Sequence, residues 1–160
     1  MKSKLYFLVF FFLIFSFLLS QTNVSKKDIL SKPGWIQVYD DFNVDMNKIS
    51  SLKKLIKDDI RIDVYFAFWC GDSRKNVPAF IKILDKLNYK KLSVNFYSIE
   101  RKKDKSGNYF IDSLKIERVP TFVFYKDNDE IGRIIENPEK TLLDDFMKIL
   151  KWAEGIFING

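Results

Sequence analysis

The chain has 160 residues, of which 47% are hydrophobic, 16% aromatic and 30% charged. These values are typical of one folded domain. Histidine is absent and cysteine occurs once, which excludes Ser-His-Asp triads, Cys-His dyads, His-ligated zinc sites and disulfides within the chain. The net charge of +6 is spread along the chain with no arginine-rich tract or base-stacking motif, so we expect no nucleic-acid partner.

The N-terminus has the pattern of an export signal. Two lysines precede an apolar stretch from Leu5 to Leu19, and a polar segment begins at Ser20. This stretch is typical of a secretory signal peptide, whereas a membrane-spanning helix needs about 20 apolar residues. We expect residues 1–20 to be a signal peptide and the folded part to be extracytoplasmic, either periplasmic or secreted. Leu18 is not small, as a cleavage site would require, so an uncleaved membrane anchor is the alternative. We expect the protein to contact a membrane only if this segment is retained.

The next residues lead into the domain. Residues 21–33 are polar and short of apolar side chains, which predicts a tether before a domain over residues 34–155. Trp35–Tyr39 alternates as a short strand. A helix is predicted next, because apolar residues recur at helical spacing at Met46, Ile49, Leu52 and Leu55.

The middle of the chain predicts a βαβ unit. Residues 62–68 are apolar enough to form a central strand that is covered on both faces. An amphipathic helix over residues 73–88 and a strand over residues 92–99 follow. The order predicts two parallel strands with a right-handed crossover.

The last third predicts a hairpin and a closing helix. A charged loop over residues 101–108 and a short helix over residues 109–115 come first. The strands 121–125 and 130–135 flank Asp127-Asn128-Asp129, which favours an antiparallel hairpin. The final helix follows Asn137-Pro138, with Pro138 in the first helical position, and continues to Gly155.

Three motifs at the joints of these elements resemble those of the thioredoxin family. Trp69-Cys70-Gly71-Asp72-Ser73 stands where that family has Trp-Cys-Gly-Pro-Cys, and Pro78 stands where it has a helix-kinking proline. Arg118-Val119-Pro120-Thr121-Phe122 resembles the family's Ile-Pro-Thr segment, whose proline is cis and lies against the active cysteine. The resemblance covers residues 36–152. It implies an α/β thioredoxin fold, with a central mixed sheet of about four to five strands flanked by helices.

Cys70 is the predicted nucleophile. The start of a helix favours thiolate over thiol through its unpaired N–H groups and dipole, whereas the nearby charge of Asp72 opposes this. Ser73 can donate a hydrogen bond to the sulfur and cap the helix, so we expect Cys70 and Ser73 to be the catalytic pair. An inert buried cysteine is the competing interpretation.

Two departures from the family limit the chemistry. Ser73 replaces the second cysteine, so no internal thiol can resolve a mixed disulfide and a dithiol reductase cycle is excluded. The family's buried aspartate, six residues before the first cysteine, is Val64 here. Asp63 is adjacent but should point to the other face of the strand, so we do not assign it that role.

The resemblance also implies a substrate-binding groove. Six residues would form it around the sulfur: Trp69, Gly71, Asp72, Val119, Pro120 and Thr121. An extended segment would bind there by strand addition, which does not require redox activity.

Three functions therefore compete. The first is monothiol thiol–disulfide exchange, in which Cys70 attacks a protein or small-molecule disulfide and an external thiol reductant then releases it. The second is a non-catalytic module that binds peptides or proteins in the groove. The third is reduction of peroxides through a sulfenic acid at Cys70, for which the sequence offers no peroxidase motif. We expect no metal and no cofactor.

Overall fold

The computed structural model describes residues 21–100 and 114–156, which form a five-stranded sheet with helices. The strands are β1 (Gln21–Asn23), β2 (Ile60–Phe66), β3 (Leu92–Ile99), β4 (Thr121–Lys126) and β5 (Asp129–Ile135). The helices are α1 (Lys26–Leu30), α2 (Trp35–Asp41), α3 (Met46–Leu55), α4 (Gly71–Leu87) and α5 (Leu142–Ala153). The predicted signal segment and charged loop lie outside the described residues, as does most of the predicted helix over residues 109–115.

The sheet is mixed, with the order β1-β3-β2-β4-β5. The central strand β2 is parallel to β3 and antiparallel to β4, and β1 and β5 pair antiparallel with β3 and β4. Since α4 connects β2 to β3, the predicted parallel βαβ unit is confirmed. The predicted hairpin is also confirmed: its two turn residues, Asp127 and Asn128, have φ of 52° and 68°, as a type I′ turn requires.

Each described helix contributes to one hydrophobic core. Ile29, Trp35, Ile49, Phe80 and Phe146, one residue from each helix, are buried in it. They pack with the β2 and β4 side chains that point to the same face of the sheet. A second, smaller cluster of Tyr65, Val123 and Ile116 lies on the opposite face of the sheet. Both faces of β2 are therefore covered, as its apolar sequence predicts. No helix in the described ranges is both long and apolar enough to cross a bilayer.

The strand predicted over Trp35–Tyr39 is wrong, because these residues belong to helix α2. Its buried and partly buried residues are Trp35, Val38 and Tyr39, followed by the partly buried C-cap residue Phe42, whereas Ile36 is 40% exposed. That spacing follows the period of a helix, and five residues are too few to distinguish it from alternation.

The tether expected over residues 21–33 also differs from the structure. Residues 21–23 pair with β3, and α1 follows, capped by the Ser25 side chain. Ile29 is fully buried in the main core. A segment with few apolar residues still packs when those residues share one face, which average composition does not reveal.

The final helix starts later than Pro138 predicts. It begins at Leu142, after the N-cap residue Thr141, whose hydroxyl accepts a hydrogen bond from the Asp144 N–H at 3.1 Å. Glu139 and Lys140 N–H groups donate instead to the Asp145 carboxylate. Pro138 therefore lies in the loop before the helix rather than in its first position.

Candidate functional site

The site begins where β2 ends and α4 starts. Cys70 is the N-cap residue of α4 and is partly exposed. Its N–H donates to the Ala67 carbonyl at 3.1 Å, which closes the turn after the strand. Its thiol donates to the Val119 carbonyl oxygen, with Sγ at 3.1 Å from that atom. The fold thus brings together two motifs that are about 50 residues apart in the sequence.

The segment opposite Cys70 is held by its own hydrogen bonds. The Val119–Pro120 peptide bond is cis, and Pro120 is buried. Thr121, at the start of β4, is also buried and donates through Oγ1 to the Arg118 carbonyl at 2.7 Å. The Pro120 carbonyl accepts the Glu136 N–H at 2.7 Å. The backbone of Val119 is therefore fixed beside the sulfur.

Ser73 does not have the contacts expected for it. The residue is fully buried, and its hydroxyl accepts a hydrogen bond from the Ala67 N–H at 3.2 Å. The N-cap residue of α4 is Cys70, whose side chain makes no capping hydrogen bond. The Ser73 side chain supports the turn between β2 and α4 instead of capping the helix.

Of the other predicted groove residues, Trp69 and Gly71 line a pocket together with Cys70, whereas Asp72 does not. Trp69 is 40% exposed, Gly71 is exposed and Asp72 is partly exposed. The Asp72 carboxylate accepts a hydrogen bond from Asn137 Nδ2 at 3.2 Å.

Two asparagines that the sequence did not single out connect the two halves of the site. Asn76, on α4, is buried and donates through Nδ2 to the Glu136 carbonyl at 2.9 Å and to Asn137 Oδ1 at 3.0 Å. Asn137 in turn contacts Asp72. In the sequence, Asn76 could have been recognised only as a polar residue among the apolar residues on the buried face of a helix.

A pocket of about 270 Å³ opens beside Cys70. Aromatic residues Trp35, Phe68 and Trp69 line it, together with the cationic side chains of Lys32 and Arg74. Arg74 follows Cys70 by one helical turn, so its position in the sequence could have indicated that it lies near the thiol. Lys32 precedes α2 in the segment expected to be a tether, so no motif could have indicated it.

The opposite face of β2 carries a polar cluster away from the thiol. Val64 is buried in the main core, whereas Asp63 points to the other face, as expected. There Asp63 pairs with Arg61 and accepts a hydrogen bond from Asn95 Nδ2 at 2.9 Å. Burial, and next the Asp63 charge, raise the pKa of Tyr65 above its ordinary value. The contacts of Asp63 therefore lie on the face of the sheet away from Cys70.

The site offers one nucleophile and no metal centre. Across residues 21–100 and 114–156, no cluster of cysteine, aspartate and glutamate could hold a metal ion. The Cys70–Val119 hydrogen bond uses the thiol proton, whereas attack on a disulfide needs the thiolate. The hydrogen bond must therefore break before the sulfur can react, which frees the Val119 carbonyl.

Comparisons with known proteins agree on the family. The sequence profile described as thioredoxin matches residues 20–147. Thioredoxin-like protein R548 of Acanthamoeba polyphaga mimivirus is 28% identical over 114 residues, which is 71% of this chain and 72% of that protein.

Two solved structures share the fold. A Pseudomonas aeruginosa protein of unknown function aligns with a TM-score of 0.56 and 16% identity, over 78% of this chain and 84% of its own. An HIV epitope-scaffold aligns with a TM-score of 0.54 and 16% identity, over 76% and 83%. The profile match extends from before β1 into α5 and includes both motifs at the sulfur. The chain, with its thioredoxin fold, therefore belongs to the thioredoxin family.

Proposed function

We propose that the protein carries out monothiol thiol–disulfide exchange through Cys70 in an extracytoplasmic compartment. The observation that carries the proposal is the position of a partly exposed thiol at the start of α4, 3.1 Å from the backbone of the cis-proline segment. Unpaired N–H groups at a helix start stabilise a thiolate. An inert core cysteine would lie inside an apolar cluster instead.

The first step forms a mixed disulfide. The Cys70 thiolate attacks one sulfur of a disulfide R–S–S–R′, a Cys70–S–S–R bond forms, and R′–S⁻ leaves with the electron pair of the broken bond. The thiol proton passes to solvent before the attack. No net oxidation occurs, because one disulfide replaces another.

The second step needs a thiol from outside the chain. Cys70 is the only cysteine in the sequence, and serine stands at position 73. An external thiolate attacks the mixed disulfide, forms a new disulfide with R and releases Cys70 as thiolate. The chemistry suits protein disulfides and mixed disulfides of small thiols as substrates, with a small-molecule or protein thiol as the reductant.

The groove residues hold the substrate during both steps. Once the thiol leaves the Val119 carbonyl, that oxygen can accept an N–H from an extended substrate segment, by strand addition. Pro120 and Thr121 fix the backbone at this point. We place Trp69, Gly71 and Asp72 on the other side of the substrate, where Trp69 has exposed aromatic surface.

The test is adduct formation by the full chain and its Cys70→Ala variant. Incubated with a peptide that carries a disulfide, the wild type should gain the mass of one half of that disulfide and lose it only when an external thiol is added. Cys70→Ala should form no adduct and should keep the fold, since the residue is partly exposed at a helix start. Mass spectrometry and circular dichroism report the two results.

The same experiment also tests the alternative, in which the protein binds peptides without catalysis. If Cys70 reacts with no disulfide at neutral pH, exchange is refuted. Retention of full activity in the cell by Cys70→Ala would then favour peptide binding in the groove without chemistry.

A further inference from the structure

We infer that the pocket beside Cys70 selects disulfides that carry a carboxylate near the reacting sulfur. The inference rests on the proposed exchange at Cys70 and adds the class of substrate. It comes from the charges, walls and size of the pocket that Lys32 and Arg74 share with the thiol.

Both charged residues in the pocket lining are cations. Lys32 and Arg74 are exposed, and no aspartate or glutamate lines the pocket. Within the described ranges, neither side chain forms an ion pair, whereas Lys26, Lys48, Arg118 and other cations do. Asp72 follows Gly71 of the pocket lining in the sequence, but it does not line the pocket itself, and its carboxylate accepts a hydrogen bond from Asn137. The pocket lining thus carries two positive charges and no negative charge.

Lys32 is positioned by an aromatic ring, and Arg74 lies near the loop before α2. Lys32 Nζ lies 5.2 Å from the centroid of the Phe68 ring, within the range of a cation–π contact. Arg74 Cδ lies near Gly34, at 3.7 Å from the place that a Cβ on that residue would take. The Phe68 contact reduces the entropy that the Lys32 side chain loses when it binds an anion.

The walls and volume fit one half of a small disulfide. Trp35, Phe68 and Trp69 provide apolar surface for an alkyl chain between a sulfur and its carboxylate. A volume of about 270 Å³ is just below the range for drug-sized ligands. The pocket therefore suits a short carboxyalkyl group rather than a folded protein surface.

The reaction is a thiol–disulfide exchange without net oxidation or reduction. With a disulfide ⁻O₂C–R–S–S–R–CO₂⁻, the Cys70 thiolate bonds to one sulfur and ⁻S–R–CO₂⁻ leaves. Lys32 and Arg74 would attract the carboxylates and raise the local concentration of the substrate at the sulfur. An anionic small thiol would be favoured in the same way as the external reductant.

The experiment compares three disulfides that differ in charge. The probes are 3,3′-dithiodipropionate, which is anionic, bis(2-hydroxyethyl) disulfide, which is neutral, and cystamine, which is cationic. Each second-order rate constant with Cys70 is divided by that of 1-thioglycerol, a neutral thiol that differs from all three probe halves, which cancels the intrinsic reactivity of the probe. We expect the anionic probe to react fastest and the cationic probe slowest, and the difference to shrink with added salt.

Variants then assign the preference to the pocket. Lys32→Gln and Arg74→Gln should each lower the anionic-to-neutral rate ratio about threefold, and the double variant about tenfold, as expected for partly screened ion pairs. Because both probes meet the same thiolate, the ratio is insensitive to any effect of a substitution on the thiol itself. Lys86→Gln is the control, since it removes one charge from the other end of α4 and should leave the ratio unchanged.

The outcomes separate this inference from the proposed function. If the wild type reacts with all three probes at equal normalised rates, or if the double variant keeps the wild-type ratio, charge selection is refuted while exchange at Cys70 stands. If no probe reacts with Cys70, the exchange itself fails, and the inference fails with it.

Discussion

The Ser73 hydroxyl is buried and accepts the Ala67 N–H, so the position of a second thiol is occupied by a group that supports the turn. It lies one helical turn from Cys70, a separation over which side chains on a helix contact each other. The turn therefore has room for a side chain of this size at position 73, pointing inward.

Ser73→Cys should convert the protein towards dithiol chemistry. A second thiol within the chain acts at an effective concentration of about millimolar or higher, so it should resolve the mixed disulfide without an external thiol. Adducts that persist in the wild type should disappear from the mass spectrum of Ser73→Cys, and a disulfide between Cys70 and the introduced thiol should replace them. Persistent adducts in the variant would contradict this account.

Ser73→Ala is the matched control for that change. It should still form adducts, but it leaves the buried Ala67 N–H without its acceptor, which costs about 1–2 kcal/mol of unfolding free energy. Urea unfolding measures that loss.

At this scale the sequence predicts which residues meet, but not all of their contacts. The placement of Cys70 beside Val119 follows from two motifs at the ends of neighbouring strands. The acceptor role of Ser73 depends on the local path of the turn. The approach of Lys32 depends on how a segment with little pattern packs, and such packing leaves no periodic signal in the sequence.

Among the elements, β5 and α5 approach closely at Gly132. A Cβ there would lie 3.0 Å and 3.1 Å from the two γ-carbons of Ile149. Rotation of the Ile149 side chain cannot relieve both contacts, because both carbons branch from its Cβ and its rotamer on a helix is restricted. A larger residue at position 132 must therefore move the helix.

Gly132→Ala should lower the unfolding free energy by about 1–2 kcal/mol through this overpacking. Gly71→Ala is the control, since nothing lies within 4 Å of a Cβ at position 71, and it should change stability by less than about 0.5 kcal/mol. Urea denaturation of the three proteins gives the comparison. Equal stability of both variants would show that α5 shifts at no cost.

The elements also show what a local pattern can predict. β3 has the bounds predicted for it, and α4 differs by two residues at its start and one at its end, because long apolar repeats fix the period. The first five residues of α2 fit the period of a strand as well as that of a helix, and only Phe42, just after the helix, completes the helical repeat. Thr141, with Asp144 three residues later, is typical of an N-cap and indicates the true start of α5, whereas Pro138 predicts a start that is too early.

Alkaline pH should destabilise the face of the sheet that holds Tyr65, Tyr97 and Tyr125. Burial raises the pKa of all three phenols above the ordinary value of 10.0. The unfolded chain therefore loses these protons first, so stability is intact below about pH 10 and falls as the pH rises further. In Tyr65→Phe the slope above about pH 10 should be smaller by up to about 1.4 kcal/mol per pH unit, the value for one proton.

The measurement is urea unfolding of wild type and Tyr65→Phe between about pH 9 and pH 11.5, a range that spans the ordinary tyrosine pKa. Burial and the hydrogen bond to Asp85 also raise the pKa of Tyr39. Both proteins retain Tyr39, so its contribution cancels in the difference between the two slopes. Identical slopes for wild type and Tyr65→Phe would contradict a raised pKa at Tyr65.

For the whole molecule, the export proposal predicts the mass of the mature protein. The basic start and the apolar run from Leu5 to Leu19 should direct cleavage near Ser20. Intact mass of the protein from its native cell should lack residues 1–20, and the protein should separate with the extracytoplasmic fraction. A mass that includes Met1 would instead support the anchored form.

The pairing of β1 gives the cleavage position a consequence for solubility. β1 begins at Gln21 and covers β3 through the pairs Gln21–Ile99, Thr22–Ser98 and Asn23–Tyr97, and Val24 N–H donates to the Phe96 carbonyl at 2.8 Å. A cut several residues later would expose this side of β3 as an open sheet edge, a template for pairing with other chains. Cleavage before Gln21 would therefore keep the end of β3 paired with β1, whereas cleavage a few residues later would leave that end open to edge-to-edge aggregation.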